Sequence, residues 1–442
     1  MSHPDELRLL NQSFPDRYPF LLQSTAQNGA LGRFDILFTK PGDALVLNSD
    51  GHLSGSAIRP QPRFLTALDD VWQRERTAAL HGELPFSGGW FLYLGYELAA
   101  EIEPGLQRYD DPLLPTAFAV RCQAAIIFDH SAGTIHRVCE SDEQDFDAQV
   151  RDDLANIDQG QSPIPVPPFD VSEDAPEQFL AAVSRAKQYI EAGDIYQANL
   201  SRQWSVAVAG DVTAERIYAS LCASNPGPFA GIARWQGTSI ISSSPERLLK
   251  IADGEVSTRP IAGTRPRGAN AEADDALRNE LFAHPKERAE HVMLIDLERN
   301  DLGRISAPGS VEVDEMMVLE SYAHVHHIVS NVRGRLRANV TPGEAIAAVF
   351  PGGTITGCPK VRCMEIINEL ELAPRGAYTG SFGYLNRDGS MDLNILIRTI
   401  VKRGNNLTFR AGAGIVADSD PEAELSEARA KAEGMLRALH NG

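Results

Sequence analysis

Four glutamates recur at one spacing. In HPKERAEHVMLIDLERNDLGR (284–304) Glu287 and Glu290 stand three residues apart, and in DPEAELSEARAKAEGMLRAL (420–439) Glu424 and Glu427 repeat the interval. That interval places each pair on one helix face. Two such faces opposed across a cleft would make an all-oxygen site suited to Mg²⁺, a hard ion that keeps several waters. Solvated helix faces laced with Glu–Lys pairs are the other reading, and Lys431, one turn after Glu427, fits both. Arg398 is the natural counterpart. In NILIRTIV it alternates with Leu396 and Ile400, so strand geometry would put a guanidinium among aliphatic side chains. It must snorkel, lie on an exposed edge or meet an anion, and a carboxylate would satisfy it with two hydrogen bonds. Gly412 and Gly414 in RAGAGIV would let backbone approach a ligand closely.

Other motifs exclude chemistries. PGGTITGCPK (351–360) has the rhythm of a P-loop, but Gly357 is followed by Cys358 and Pro359, not by Lys and Ser or Thr. In HVHH, strand alternation separates His324 and His326 from His327, and no cysteine pair joins them, which argues against zinc. No G-x-C-x-G or G-x-S-x-G elbow occurs, so no glutaminase or hydrolase nucleophile is evident. The stretch STRPIAGTRPRG (257–268) sets three arginines among prolines and glycines, with Ala262 at its centre.

These groups sit in a chain of 442 residues with a net charge of −19, which argues against generic binding to nucleic acid or anionic membranes. An anionic ligand would need a metal or a few placed arginines. Hydrophobic content of 43% and charged content of 23% are those of an ordinary globular protein. Five cysteines without metal-type spacing read as reduced thiols. The N-terminus lacks an apolar signal core, and no run approaches the roughly 18 apolar residues of a membrane span. A cytoplasmic location is expected.

The elements that must position the site fall in two segments. QGQSPIPVPPFDVSEDAP (159–176) carries five prolines and marks a linker over 159–175 between residues 1–158 and 176–442. A helix should start at once, capped by Asp174 with Glu177, bury Phe179, Val183, Ala186 and Ile190, and end at Gly193. The first segment is strand-rich, with GRFDILFT and GGWFLYLGYEL as candidates. In the second, two strands should flank Asp388–Gly389, and NLTFRAGAGIVADS should form a strand pair or bend. Helices and hairpins without strict alternation predict an α+β fold with antiparallel sheet.

Five stretches occur in a telling order: SSSPERLLK, TRPIAGTRPRG, KERAEHVMLIDLERNDLGR, GGTITGCPKVRCMEIINELE and AGAGIVADSDPEAE. Together they resemble the chorismate-utilising enzymes, along the whole chain and most strongly over 176–436. The resemblance implies antiparallel sheets packed as a sandwich, helices outside, and a cleft between two subdomains. It implies Mg²⁺ on the ring carboxylate of chorismate, with Glu290 and Glu427 as direct ligands and Glu287 and Glu424 acting through water. Gly263, Thr264, Thr354, Tyr378, Arg398, Gly412, Gly414 and Lys431 match positions that line the cleft or hold the substrate. Glu246 matches the general acid/base that helps the C4 hydroxyl leave, a task for a carboxyl whose pKa burial has raised. His327 matches the active-site histidine.

Water-using members of the family carry a lysine base where this chain has Gln197, so the resemblance implies ammonia as the nucleophile. YQANL, NPGPFAGI, GGWFLYLGYEL and AYTGSFGYL resemble component I of aminodeoxychorismate synthase, which leads to 4-aminobenzoate and folate. Ala262 points to the alternative. Aminodeoxychorismate synthases commonly carry a nucleophilic lysine there, whereas the large subunit of anthranilate synthase, on the route to tryptophan, carries alanine. Either reading implies chorismate, ammonia and a glutamine amidotransferase subunit as partners. Ser24 in FLLQS, with Pro228 and Phe229, resembles a tryptophan pocket.

Overall fold

GWFLYL, the strand Gly89–Leu94, is buried at every position. Trp90, Leu92 and Leu94 pack under helices, while Phe91 and Tyr93 join an aromatic layer with Phe20, Phe118 and Phe382. A strand apolar on both faces belongs to a sheet covered on both faces, and that describes the whole molecule. The computed structural model describes residues 4–25, 32–55, 61–78, 82–141, 143–157, 169–208, 212–268, 270–321 and 325–440. The linker expected at 159–175 lies outside the described residues up to 168.

One antiparallel ladder runs through the protein. It passes from Gln197–Ala207 through Asn406–Ile415, Thr399–Arg403, Thr238–Ser244, Phe229–Trp235 and Phe20–Gln23 to the long strand Phe34–Leu47. It continues through Ala117–Asp129, Gly89–Leu94, Ser381–Asn386, Met391–Asn394, Arg247–Ala252 and Glu255–Arg259 to Val325–Arg335. The pair Phe34–Leu47 and Ala117–Asp129 shifts register between Pro41 and Ala44. Such an irregularity bends a strand pair. Ile36 and Phe38 on one side of it and Phe91, Ala233, Ile240, Phe382 and Leu396 share one core layer, so the two halves of the ladder face each other as a sandwich. Helices Pro176–Glu191, Ala214–Ser224 and Pro421–His440 cover the outside of one half, and Phe64–Glu75 and Pro342–Val349 cover the other. The α+β sandwich expected from the sequence is the fold observed. Strands from residues 1–158 pair with strands from 176–442 at two places, Phe20–Gln23 with Phe229–Trp235 and Gly89–Leu94 with Ser381–Asn386.

Three local expectations change. The helix Pro176–Glu191 buries Phe179, Val183 and Ala186 as patterned, but Ala175 is its N-cap and no side chain caps it. Asp174 instead accepts from the Gln203 amide at 2.8 Å, because the neighbouring strand offers a donor first. Asn406–Ile415 is one strand, not a pair. Arg398 is not in strand alternation. It stands between Met391–Asn394 and Thr399–Arg403 with φ +50°, and its carbonyl accepts from Ser243 at 3.1 Å. A left-handed, non-glycine residue at such a break is held there by its surroundings.

Candidate active site

The strand Asn406–Ile415 divides its residues by alternation. Phe409, Ala411, Ala413 and Ile415 enter the core beneath the helix Pro421–His440, which leaves Arg410, Gly412 and Gly414 on the opposite face. A Cβ added at Gly414 would lie 2.5 Å from Gln197 Nε2 and 3.8 Å from Glu290 Oε1, so a side chain there would displace Gln197. Gln197 Nε2 donates to Glu290 Oε1 at 2.7 Å, which holds that carboxylate over the strand. From the other helix, Lys431 Nζ donates to the Gly412 carbonyl at 3.0 Å and pairs with Glu427 at 2.7 Å. Glu290 thus stands over Gly414, while the exposed Glu427 meets the same strand only through Lys431 at Gly412. Glu287 pairs with Arg265 at 3.3 Å and flanks Gly263, whose φ of +67° and 2.9 Å clearance to Glu287 Oε2 both disfavour a side chain. Glu424 is half-buried one turn before Glu427.

Among the described residues no three His, Cys, Asp or Glu side chains are gathered tightly enough to cage an ion. The convergent donors are all oxygens. Such a set fits a hard cation that completes its shell with water and substrate oxygens, and does not fit a dedicated protein cage.

Arg398 retains some exposure, yet desolvation lowers its pKa. Both hold if the guanidinium lies deep and faces an internal cleft. Among the described residues it has no carboxylate partner. Next to it, His327 is kept neutral: burial, then the Arg398 charge, lower its pKa to about 3. Its Nδ1 lies 3.4 Å from the Gly263 carbonyl. Glu246 is 5% exposed, and burial pushes its carboxyl up to about 8. The Thr354 hydroxyl and the Ile261 amide moderate that rise, and the charge of Glu298 adds to it. A carboxyl so placed keeps its proton at neutral pH. Tyr378 is buried, its phenol pushed up to about 12 by burial, with the Arg375 guanidinium 5.7 Å from its ring centroid. Proximity thus links several positions singled out in the sequence: Gly263 lies beside Glu287 and His327, Gly414 beneath Glu290, and the Arg398 charge is felt at His327.

Residues 18–437 match the model of the chorismate binding enzymes. The chain belongs to that family. It is 42% identical over 433 residues to anthranilate synthase component 1 of Thermus thermophilus, covering 95% of this chain and 92% of the relative. It is also 42% identical over 380 residues to aminodeoxychorismate synthase component 1 of Bacillus subtilis, covering 83% and 80%. The crystal structure of anthranilate synthase component I from Streptococcus pneumoniae superposes with a TM-score of 0.81 at 33% identity, covering 92% of this chain and 93% of that one. No described helix is long and apolar enough to cross a membrane.

For a chorismate-binding enzyme the Ala262 segment carries particular weight. Ala262 is 6% exposed on the strand Ile261–Pro266, opposite Ile328 and one residue from Gly263. The side chain of Thr264 lies outside the described residues, as does His324. The clip's arginines serve its own architecture. Arg259 pairs with Glu315 and Glu320, Arg265 with Glu280 and Glu287, and Arg267 with Asp274.

Ser24 lies elsewhere in the molecule. Its amide donates to the buried Asp35 at 2.9 Å, and the next residue, Thr25, is laced to Gly227 by backbone and side-chain bonds of 3.0–3.1 Å. The 24 and 228 segments are thereby neighbours. Pro228 and Phe229 line a 1130 Å³ cavity with Leu22, Gln23, Arg247 and Tyr384, away from the acidic pairs.

Two charged groups escaped the sequence reading. Glu298 is buried on the helix Pro285–Gly303, on the stripe formed by His291, Leu294, Ile295 and Leu302. That spacing was the available signal: a glutamate at a core position of an apolar face. Glu371, Arg375 and Arg410 form a buried cluster behind Tyr378, with Glu371 contacting the two arginines at 2.6 and 3.1 Å. The i,i+4 interval of Glu371 and Arg375 was the available signal for half of it; Arg410 comes from the distant strand Asn406–Ile415 and nothing local announces it.

Proposed function

We propose that the chain aminates chorismate at C2 and releases pyruvate, forming anthranilate, as the large component of a two-component synthase. The observation that carries this reading is Ala262. In the aminodeoxychorismate synthases that carry the lysine, its amine attacks C2 first, so that ammonia enters at C4. A buried methyl group at that position supplies no nucleophile. Ammonia is then left to attack C2 itself. The likeness to anthranilate synthase components over nearly the full chain supports the same choice. It outweighs the scattered motifs, YQANL among them, that favour aminodeoxychorismate synthase.

The chain's own groups divide the work. Arg398 takes a substrate carboxylate; its lost hydration and lack of a protein anion make that contact favourable. The backbone at Gly412 and Gly414 and the Tyr378 hydroxyl line the same cleft, and Lys431 stands at its rim. Glu290 and Glu427 would hold Mg²⁺ directly, with Glu287 and Glu424 through water. Bound there, the ion would neutralise the ring carboxylate and let an acidic protein accept a dianion. Glu246, protonated, delivers its proton to the C4 oxygen as that C–O bond breaks. The neutral His327 imidazole can accept or donate a hydrogen bond beside Arg398 without adding charge. Ammonia needs no base of the kind water needs, in keeping with Gln197. No glutaminase nucleophile is evident in the sequence, so a glutamine amidotransferase subunit would supply the ammonia. The cavity beside Pro228 and Phe229 would take tryptophan; a melting temperature that rises with added tryptophan supports an exchangeable site, and an unchanged one opposes it.

The test is product analysis with purified protein, chorismate, Mg²⁺ and ammonium. Fluorescent anthranilate and pyruvate in equal amounts are expected, lost on omitting Mg²⁺ and in Glu290→Gln and Glu427→Gln. A product that an aminodeoxychorismate lyase converts to 4-aminobenzoate would overturn the choice in favour of the second reading.

A further inference from the structure

The short turn Gly353–Ile355 separates two buried carboxyls. On one side the Gly353 amide donates to Glu298 Oε1 at 3.4 Å, and a Cβ on Gly353 would lie 3.1 Å from that oxygen. On the other side the next residue, Thr354, sets its hydroxyl beside Glu246. Glu246 is 5% exposed and Glu298 6%. Three atoms around them, Glu246 Oε1, Thr354 Oγ1 and Thr258 Oγ1, are buried without a hydrogen bond of full geometry among the described residues, although Thr354 lies close enough to act on Glu246 and Thr258 on Glu298. The Thr258 hydroxyl sits next to Glu298. Buried polar atoms are nearly always fully partnered, so two incompletely satisfied hydroxyls beside two carboxyls mark a place where water or protons are handled.

Behind Glu298 the acidic chain continues. Asp301 bonds Lys360, which also donates to the Val349 carbonyl at 2.9 Å, and Arg304 adds charge nearby. Asp301 and Lys360 line an outer cavity of 630 Å³ that Glu246 does not reach. Burial and then the charge of Asp301 raise Glu298 to about 7, and burial with the charge of Glu298 raises Glu246 to about 8.

We propose that Glu298 is the internal proton partner of Glu246, reloading it across the Gly353–Ile355 turn after each departure of the C4 hydroxyl. This rests on the reading of Glu246 as the acid. The protons balance. Glu246 gives its proton to the C4 oxygen, and water leaves. Glu298 passes its proton through the Thr354 hydroxyl and a bridging water to the Glu246 carboxylate. Solvent at the outer cavity recharges Glu298 by way of Asp301 and Lys360. The aminium formed at C2 releases the compensating proton. Glu298 never touches substrate and is a positioning residue.

The test compares Glu298→Gln, Glu246→Gln and the parent enzyme by chorismate consumption across pH, at constant free ammonia and saturating Mg²⁺. For Glu298→Gln the expectation is a kcat lower by about tenfold, a chorismate KM within about twofold, and an alkaline limb moved to lower pH. The limb moves because the neighbouring charge that keeps the proton on Glu246 is gone. An unchanged kcat and limb would overturn the proposal. If Glu246→Gln consumes chorismate normally, the assignment of the acid falls and takes the relay with it. If Glu246→Gln is inactive and Glu298→Gln behaves as the parent, the relay alone falls. Should Glu298→Gln not fold, Thr258→Val serves: a reduced kcat at constant KM with an enlarged solvent isotope effect supports the relay, and parental kinetics refute it.

Discussion

Glu371 and Glu246 are carboxyls at equal depth with opposite fates. Burial would raise both, but at Glu371 the charges of Arg375 and Arg410 outweigh it and the pKa is lowered, while Glu246 has no cation beside it and rises to about 8. Two buried arginines repeat the contrast. Arg375 loses hydration but regains it from Glu371, the Asn199 carbonyl at 2.7 Å and the Ile355 carbonyl at 3.2 Å, and its pKa is raised. Arg398 loses hydration with no such return, and its pKa is lowered. The saturated cluster ties three elements together; the unsaturated groups are those proposed to meet the substrate. On that proposal, saturation of charge, not burial, separates scaffold from reactive site.

The contrast predicts different losses on the two sides. Glu246→Gln should cut kcat roughly 10²- to 10⁴-fold with little change in KM, measured by chorismate consumption. The same variant should stabilise the fold at pH 8. A carboxyl whose folded pKa lies above its unfolded one loses stability as pH climbs from the unfolded value through about 8. The gain should therefore vanish near pH 4. Arg375→Met should leave Glu371 undercompensated and destabilise the protein by about 3–5 kcal/mol, read from urea unfolding. Unfolding unchanged in that variant would dissolve the distinction. Arg398→Gln should do the reverse, weakening kcat/KM by about 10- to 100-fold while the unfolding midpoint holds or rises. Exposed pairs mark the lower limit. Arg437→Ala, which removes an i,i+4 contact of 3.4 Å to Glu433, should shift stability by less than about 0.5 kcal/mol.

Motif residues close in sequence were readable because local geometry fixes them. The Glu287/Glu290 and Glu424/Glu427 intervals, the helix through Phe179, Val183 and Ala186, and the Asp388–Gly389 turn all follow from chain periodicity. The need for a buried, protonated Glu246 followed from the chemistry assigned to it. The errors have one cause, competition from partners distant in the chain. Asp174 left its cap for the Gln203 amide. Arg398 left strand alternation where its carbonyl met Ser243. The partners of Arg259, Arg265 and Arg267, namely Glu315, Glu320, Glu280, Glu287 and Asp274, likewise come from other elements. Glu298 looked like one more helix charge because its neighbours Thr258 and Gly353 come from other elements. The choice between aminodeoxychorismate synthase and anthranilate synthase is the least legible point, because relatives of both kinds share the chorismate-binding framework and Ala262 is one residue against many small likenesses.

The most direct measurement is an infrared titration of the ligand-free protein, comparing the protonated-carboxyl stretch in the parent and in Glu246→Gln. The account predicts a band at pH 7 that the substitution removes and that fades in the parent as pH passes about 8. Identical spectra at pH 7, or a band already lost in the ordinary carboxylate range, would contradict it.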